Sequence, residues 1–222
     1  MIKKLRLFLP FILFLQLTAL AQPQRAVSHS LVTPPEFGKI TLAELQMKEC
    51  SFEKGAAAMN LVQYESVEFV VSNYGDYKLV TETTCRIKIF NKNGFKQATV
   101  IIPYVGRNRT SKITDIEGST YNLDETGKPV AIKLNRKEIF RDKDAEKNGL
   151  NTVRFTFPDV KEGSVIEYRY TRIEKNSYFI SPWFFQGNIP TLLSACKISI
   201  PAFSHLDKRI VALNEVEDAY AS

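Results

Sequence analysis

The chain has 222 residues, 30 Lys and Arg against 24 Asp and Glu, and three cysteines. That length supports one sizeable core or two small ones, and three scattered cysteines exclude a disulfide-dense scaffold. The basic residues alternate with acidic ones instead of massing on one stretch, which argues against a nucleic-acid partner.

The first residues read MIKKLRLFLPFILFLQLTALAQ. A positive head (Lys3, Lys4, Arg6), an apolar stretch from Leu7 to Leu20 and the small-x-small triplet Ala19-Leu20-Ala21 predict a secretory signal peptide over residues 1–21, cut between Ala21 and Gln22. An uncleaved anchor is the alternative, but the apolar run is short for a bilayer and is interrupted by Pro10 and Gln16. Cleavage removes three positive charges and no negative ones, so a formal net charge of +6 becomes +3. The expected location is periplasmic or secreted, with membrane contact only during export.

Residues 22–38 are rich in Gln, Pro and Ser, with Pro34-Pro35, and predict an extended lead-in. A main domain is expected from 39 to 222, cut short at its C-terminus if the sequence is a fragment. It opens at Thr41-Leu42-Ala43-Glu44, a capping box, predicting a helix of about three turns that ends near Cys50.

After Gly55 the hydrophobic period becomes two. Val67, Phe69 and Val71 predict one strand; Cys85, Ile87 and Ile89, alternating with Arg86 and Lys88, predict another with a single buried face. Asn93-Gly94 suits a tight hairpin, so 83–90 should pair with 96–105. A further turn is expected at Asp124 to Pro129. The charged stretch 137–151 reads as a solvated loop with at most a helical turn. Strands resume at Val153-Phe155-Phe157 and Ile166-Tyr168-Tyr170, and Cys196-Ile198-Ile200 closes the series before Pro201. Many short strands and one small helix predict a mainly β fold, an antiparallel β-sandwich with one short N-terminal helix.

Residues 39 to about 205 resemble a domain-of-unknown-function family of exported bacterial proteins that sits N-terminal to transglutaminase-like domains. The resemblance lies in KITLAELQMKEC, RIKIFNKNGFKQATVIIPY, FPDVKEGSVIEYRY and SPWFFQGNIPTLLSACKISIP, in that order. It implies an accessory role beside a Cys-His-Asp enzyme domain that this sequence does not contain.

Reactive constellations are sparse. A cysteine nucleophile needs a neighbouring base, and the histidines are His29 in the lead-in and His205 past the last strand, which extended geometry keeps far from Cys196. Cys85 and Cys196 read as small strand residues facing the interior. Asp142, Asp144 and Glu146 give D-x-D-x-E without the glycine or terminal glutamate of a calcium loop. Asn108-Arg109-Thr110 fits a glycosylation acceptor, which a bacterial setting leaves idle. No catalytic residue, metal or cofactor is expected.

One cluster remains, SPWFFQGNIP at 181–190. Trp183, Phe184 and Gln186 are either a structural corner closing the sandwich, which the prolines favour, or an exposed platform for a partner. The expected function is a non-catalytic exported module accompanying a transglutaminase-like domain or another envelope protein. The alternative is a stand-alone module binding a cell-envelope sugar or peptide.

Overall fold

The computed structural model describes residues 32–71, 76–106, 110–144, 150–175, 177, 179–201, 207 and 211. The segment expected to be a signal peptide, with Ala21 and Gln22, both histidines, Asn108-Arg109 and Glu146 lie outside the described residues.

Among the described residues one α-helix, α1 (Leu42–Gln46), precedes nine strands: β1 (Ala58–Val71), β2 (Tyr77–Ile89), β3 (Thr99–Val105), β4 (Ser111–Leu123), β5 (Pro129–Lys133), β6 (Phe140–Asp144), β7 (Leu150–Thr156), β8 (Val165–Lys175) and β9 (Ser194–Ser199). Six strands form one sheet in the order β5-β4-β8-β2-β1-β9, and three form a second in the order β3-β7-β6. Ile87, Ile89, Ile113 and Ile166 of the large sheet share a buried cluster with Ile102, Val153 and Phe155 of the small one. The alternation of the sequence thus produces a β-sandwich, as expected.

The helix forms through its capping box: the Glu44 N–H donates to Thr41 Oγ1 at 3.2 Å and the Thr41 N–H to Glu44 Oε2 at 2.6 Å. It is shorter than the expected three turns. Met47 turns to extended backbone at ψ 128°, and the Leu45 carbonyl is taken by the Lys88 ammonium at 2.6 Å instead of by a following helical turn.

Three further expectations are corrected. Residues 83–90 and 96–105 do not pair: β2 lies between β1 and β8, while β3 pairs with β7 in the other sheet. Asn93-Gly94 lies in a 3-10 turn, Lys92–Ala98, that carries the chain between sheets. There a Cβ on Gly94 would collide with the Ala57 carbonyl, so glycine serves close approach and not a hairpin. Nor is 137–151 a loop throughout, because β6 forms within it and pairs with β7. Finally, β9 runs parallel to β1. The chain therefore leaves β8 and returns to the start of β1 before entering β9, a crossover that places the Trp183 segment over the sheet. The turn at Asp124 does join a hairpin, β4 to β5.

Candidate ligand groove and apolar rim

The two faces of the large sheet do different things. On the outer face, Arg86 and Lys88 project between Ile87 and Ile89 yet are 1% and 0% exposed. Arg86 donates to Glu167 Oε1 from Nε and one terminal nitrogen (2.9 and 2.6 Å), to Glu44 Oε1 (2.7 Å) and to the Glu36 carbonyl (3.0 Å), while the Gly38 N–H donates to Glu167 Oε2 at 2.7 Å. Lys88 is neutralised by no carboxylate among the described residues; its ammonium donates to the Leu45 and Gly163 carbonyls, both at 2.6 Å. Burial and the Lys48 charge hold it down at about 8. Leu45, Met59, Leu61, Tyr121 and Val165 surround this clasp. Residues 36–38 and α1 are thus fastened to the sheet by charge-assisted hydrogen bonds. Strand alternation alone had Arg86 and Lys88 facing water; the readable signal was the opposite charges of Arg86 and Glu167 inside two apolar strands.

On the inner face, beyond the small sheet, polar side chains line up across strands. Cross-strand register aligns Cys196 (β9), Glu65 (β1), Thr83 (β2) and Tyr170 (β8), and beside them Ser194, Gln63, Cys85 and Tyr168. Thr83 Oγ1 donates to Glu65 Oε1 at 3.0 Å. Desolvation raises the Glu65 carboxyl, against the Thr83 hydrogen bond. Here lies a groove of about 260 Å³ floored by Asn60, Gln63, Cys85, Ile87 and Tyr168. Gln97 closes one side and Gly187–Ile189 the other. Gln63 Nε2 also donates to the Phe184 carbonyl at 3.3 Å, tying the crossover to β1.

Along that crossover, Trp183 is half-buried and stands edge-on to Phe185, with ring centroids 6.4 Å apart. Gln186 is exposed, Phe184 is 71% and Phe179 85% exposed, and Leu192 is 58% exposed. The corner and platform readings of the cluster meet here: Trp183 anchors the segment while its neighbours face solvent. The Trp183 indole N–H and the Ser194 hydroxyl are buried with no partner among the described residues.

The thiols are free, with Cys50 buried and Cys85 and Cys196 partly buried. Desolvation pushes both Cys85 and Cys196 up to about 11; the Glu65 charge adds to each, and a Tyr168 hydrogen bond opposes it at Cys85. Both therefore hold their protons near neutral pH, the opposite of an activated thiolate. Among the described residues no three His, Cys, Asp or Glu side chains gather as a metal site. A second cleft, of about 360 Å³, lies at the β4 bulge and is lined by Asp115, Ile116, Glu117, Arg136, Ile139 and Arg141. Asp115 has φ 53° there, and Glu117 is paired with Arg169 at 2.8 Å.

No curated protein matches the chain. A crystal structure of a candidate protease from Parabacteroides distasonis is similar over 64% of this chain and 28% of its own, at 14% identity and a TM-score of 0.45. This chain thus spans little more than a quarter of that protein. The family model of DUF3857, a domain of unknown function with a solved structure, matches residues 75–216, which hold β2 to β9 and three of the four stretches that carried the sequence resemblance. The chain belongs to the DUF3857 family.

Proposed function

We propose that this domain is a non-catalytic, exported module that packs against a transglutaminase-like cysteine enzyme domain and positions it. The observation that carries the reading is the apolar rim of the crossover, where Phe179, Phe184 and Leu192 are each more than half exposed within 14 residues of one segment. Isolated surface hydrophobics are ordinary, whereas three on one short segment offer apolar area of the kind an interaction surface uses. The protonated thiols of Cys85 and Cys196 support a supporting role over a catalytic one. Export through the segment ending at Ala21 sets the meeting place in the periplasm or outside the cell.

The test is association in trans. A separately purified transglutaminase-like domain from a relative that carries both should co-elute with this chain in size-exclusion chromatography, and Phe184→Asp should abolish co-elution without altering the fold. Equal co-elution of the variant, or none with the parent chain, overturns the reading. A second reading, a stand-alone module for a cell-envelope sugar or peptide, is favoured by the groove against β1, β2 and β8.

A further inference from the structure

We infer that the groove floored by Asn60, Gln63, Cys85 and Tyr168 takes an uncharged sugar ring, with Gly187–Ile189 as its wall. The inference rests on the binding-module reading and names its ligand class.

Charge decides first. The groove is lined by side chains of Asn, Gln, Cys, Ile and Tyr and by no carboxylate, ammonium or guanidinium, in contrast to the cleft at the β4 bulge with its two arginines and two acids. A charged ligand entering the groove would lose hydration with no counter-charge on its lining to replace it; the Glu65 carboxylate that acts on Cys85 lies outside the lining and accepts from Thr83. An uncharged one loses far less.

Hydrogen-bonding capacity decides next. Four primary amides face the groove, and each offers both a donor and an acceptor, the pairing that a ring hydroxyl also presents. Asn60 Nδ2 gives one N–H to Thr191 Oγ1 at 3.1 Å and Gln63 Nε2 one to the Phe184 carbonyl, which fixes each amide and leaves its oxygen and second N–H. The amides of Gln97 and Asn188 have no side-chain partner among the described residues. Ser194 stands opposite Gln63 in the ladder, next to the floor.

The backbone then separates sugar from peptide. An extended peptide commonly binds by joining a free sheet edge, but the floor strands β1, β2 and β8 each have a hydrogen-bonded strand on both sides. Recognition in the groove must therefore come from side chains alone. The Tyr168 ring in the floor supplies a flat apolar face for the C–H face of a sugar.

Trp183 is the only tryptophan and lies on the segment that continues into the Gly187–Ile189 wall, so its emission reports on this segment without interference. Titrating the purified chain with maltotriose and with cellotriose, up to about 50 mM each, should change that emission saturably. It should also shift the side-chain amide NMR signals of Gln63, Gln97 and Asn188. Asn188→Ala, at an exposed position, should weaken binding about tenfold, and Gln97→Glu should weaken it by a similar factor, with circular dichroism unchanged in both. Arg141→Ala, in the other cleft, should leave it as it was. If acetyl-trialanine amide shifts these signals and neither saccharide does, the sugar assignment falls and the binding-module reading stands. If no probe moves them, or the saccharide signals move only elsewhere, both fall.

Discussion

Arg86 of β2 and Glu167 of β8 stand directly opposite each other in the antiparallel ladder, and their side chains meet at 2.6 Å with 1% of each exposed. A second carboxylate, that of Glu44, reaches the same guanidinium from α1. The pair is thus both a strand-to-strand contact and the fastening point of the N-terminal segment. Removing one partner from a buried pair leaves an uncompensated charge, which costs about 3 to 5 kcal/mol. We expect Arg86→Ala to lose that much in urea denaturation. We expect Arg86→Met combined with Glu167→Leu to lose clearly less. Equal losses in the two would show that the charge is not what matters.

Lys88 gives stability a pH dependence with a definite sign. Its folded value is about 8 against an ordinary 10.5, so between those values the unfolded chain binds the proton more readily and stability rises with pH. Cys85 and Cys196 act oppositely. Each is raised from 9.0 to about 11, so the unfolded chain releases its thiol proton first and stability falls from pH 9 toward 11. Under reducing conditions, the denaturation midpoint should climb from pH 8 to 9 and then level or turn over. Lys88→Met should remove the climb; a climb that persists in this variant would refute the assignment.

Gly118 of β4 lies where no side chain fits. A Cβ there would come within 2.7 Å of the Phe157 ring and 2.9 Å of the Glu167 carbonyl. Gly118→Ala should therefore cost about 1 to 3 kcal/mol through displaced packing. Thermal melting that leaves the variant unchanged would mean that Phe157 moves aside freely.

Trp183 and Phe184 should separate stability from association. Full burial of an aromatic makes its truncation cost about 3 to 5 kcal/mol, and Trp183 is only half-buried. Trp183→Ala should lower stability by about 1 to 2 kcal/mol. Phe184→Ala should stay within about 0.5 kcal/mol of the parent chain, as surface changes do. Calorimetry of the two variants provides the comparison, and a large loss at Phe184 would make the rim part of the core.

The strands were legible because period-two alternation is a property of short stretches. Cys85-Ile87-Ile89, Val153-Phe155 and Ile166-Tyr168-Tyr170 each lie in a strand as the pattern required, while Phe157 falls one residue past the end of β7. Pairing was less legible, since it depends on residues far apart. Asn93-Gly94 carries hairpin chemistry, yet Gly94 meets a demand set by Ala57, on the other side of two strands. The charges of β6 masked its pairing with β7, because an edge strand with one face in water needs few apolar residues. The groove was hidden for a related reason. Asn60 and Gln63 of β1, Cys85 of β2, Gln97 of the 3-10 turn and Tyr168 of β8 are far apart in sequence, and only the register of β1, β2 and β8 brings them to one place. The aromatic cluster at 183–186, by contrast, was conspicuous because its composition is local.

The clasp at Arg86 has a consequence for where a fragment of this chain can be cut. The family match starts at residue 75, after β1, whereas the hydrogen bonds of Arg86 and Lys88 reach back to Glu36, Glu44 and Leu45, and β1 separates β2 from β9. What similarity recognises and what folds cooperatively are thus different lengths of polypeptide. An expression clone begun at the recognisable boundary would split a ladder and expose two buried cations to water, and it should yield insoluble material where one begun ahead of Glu36 does not.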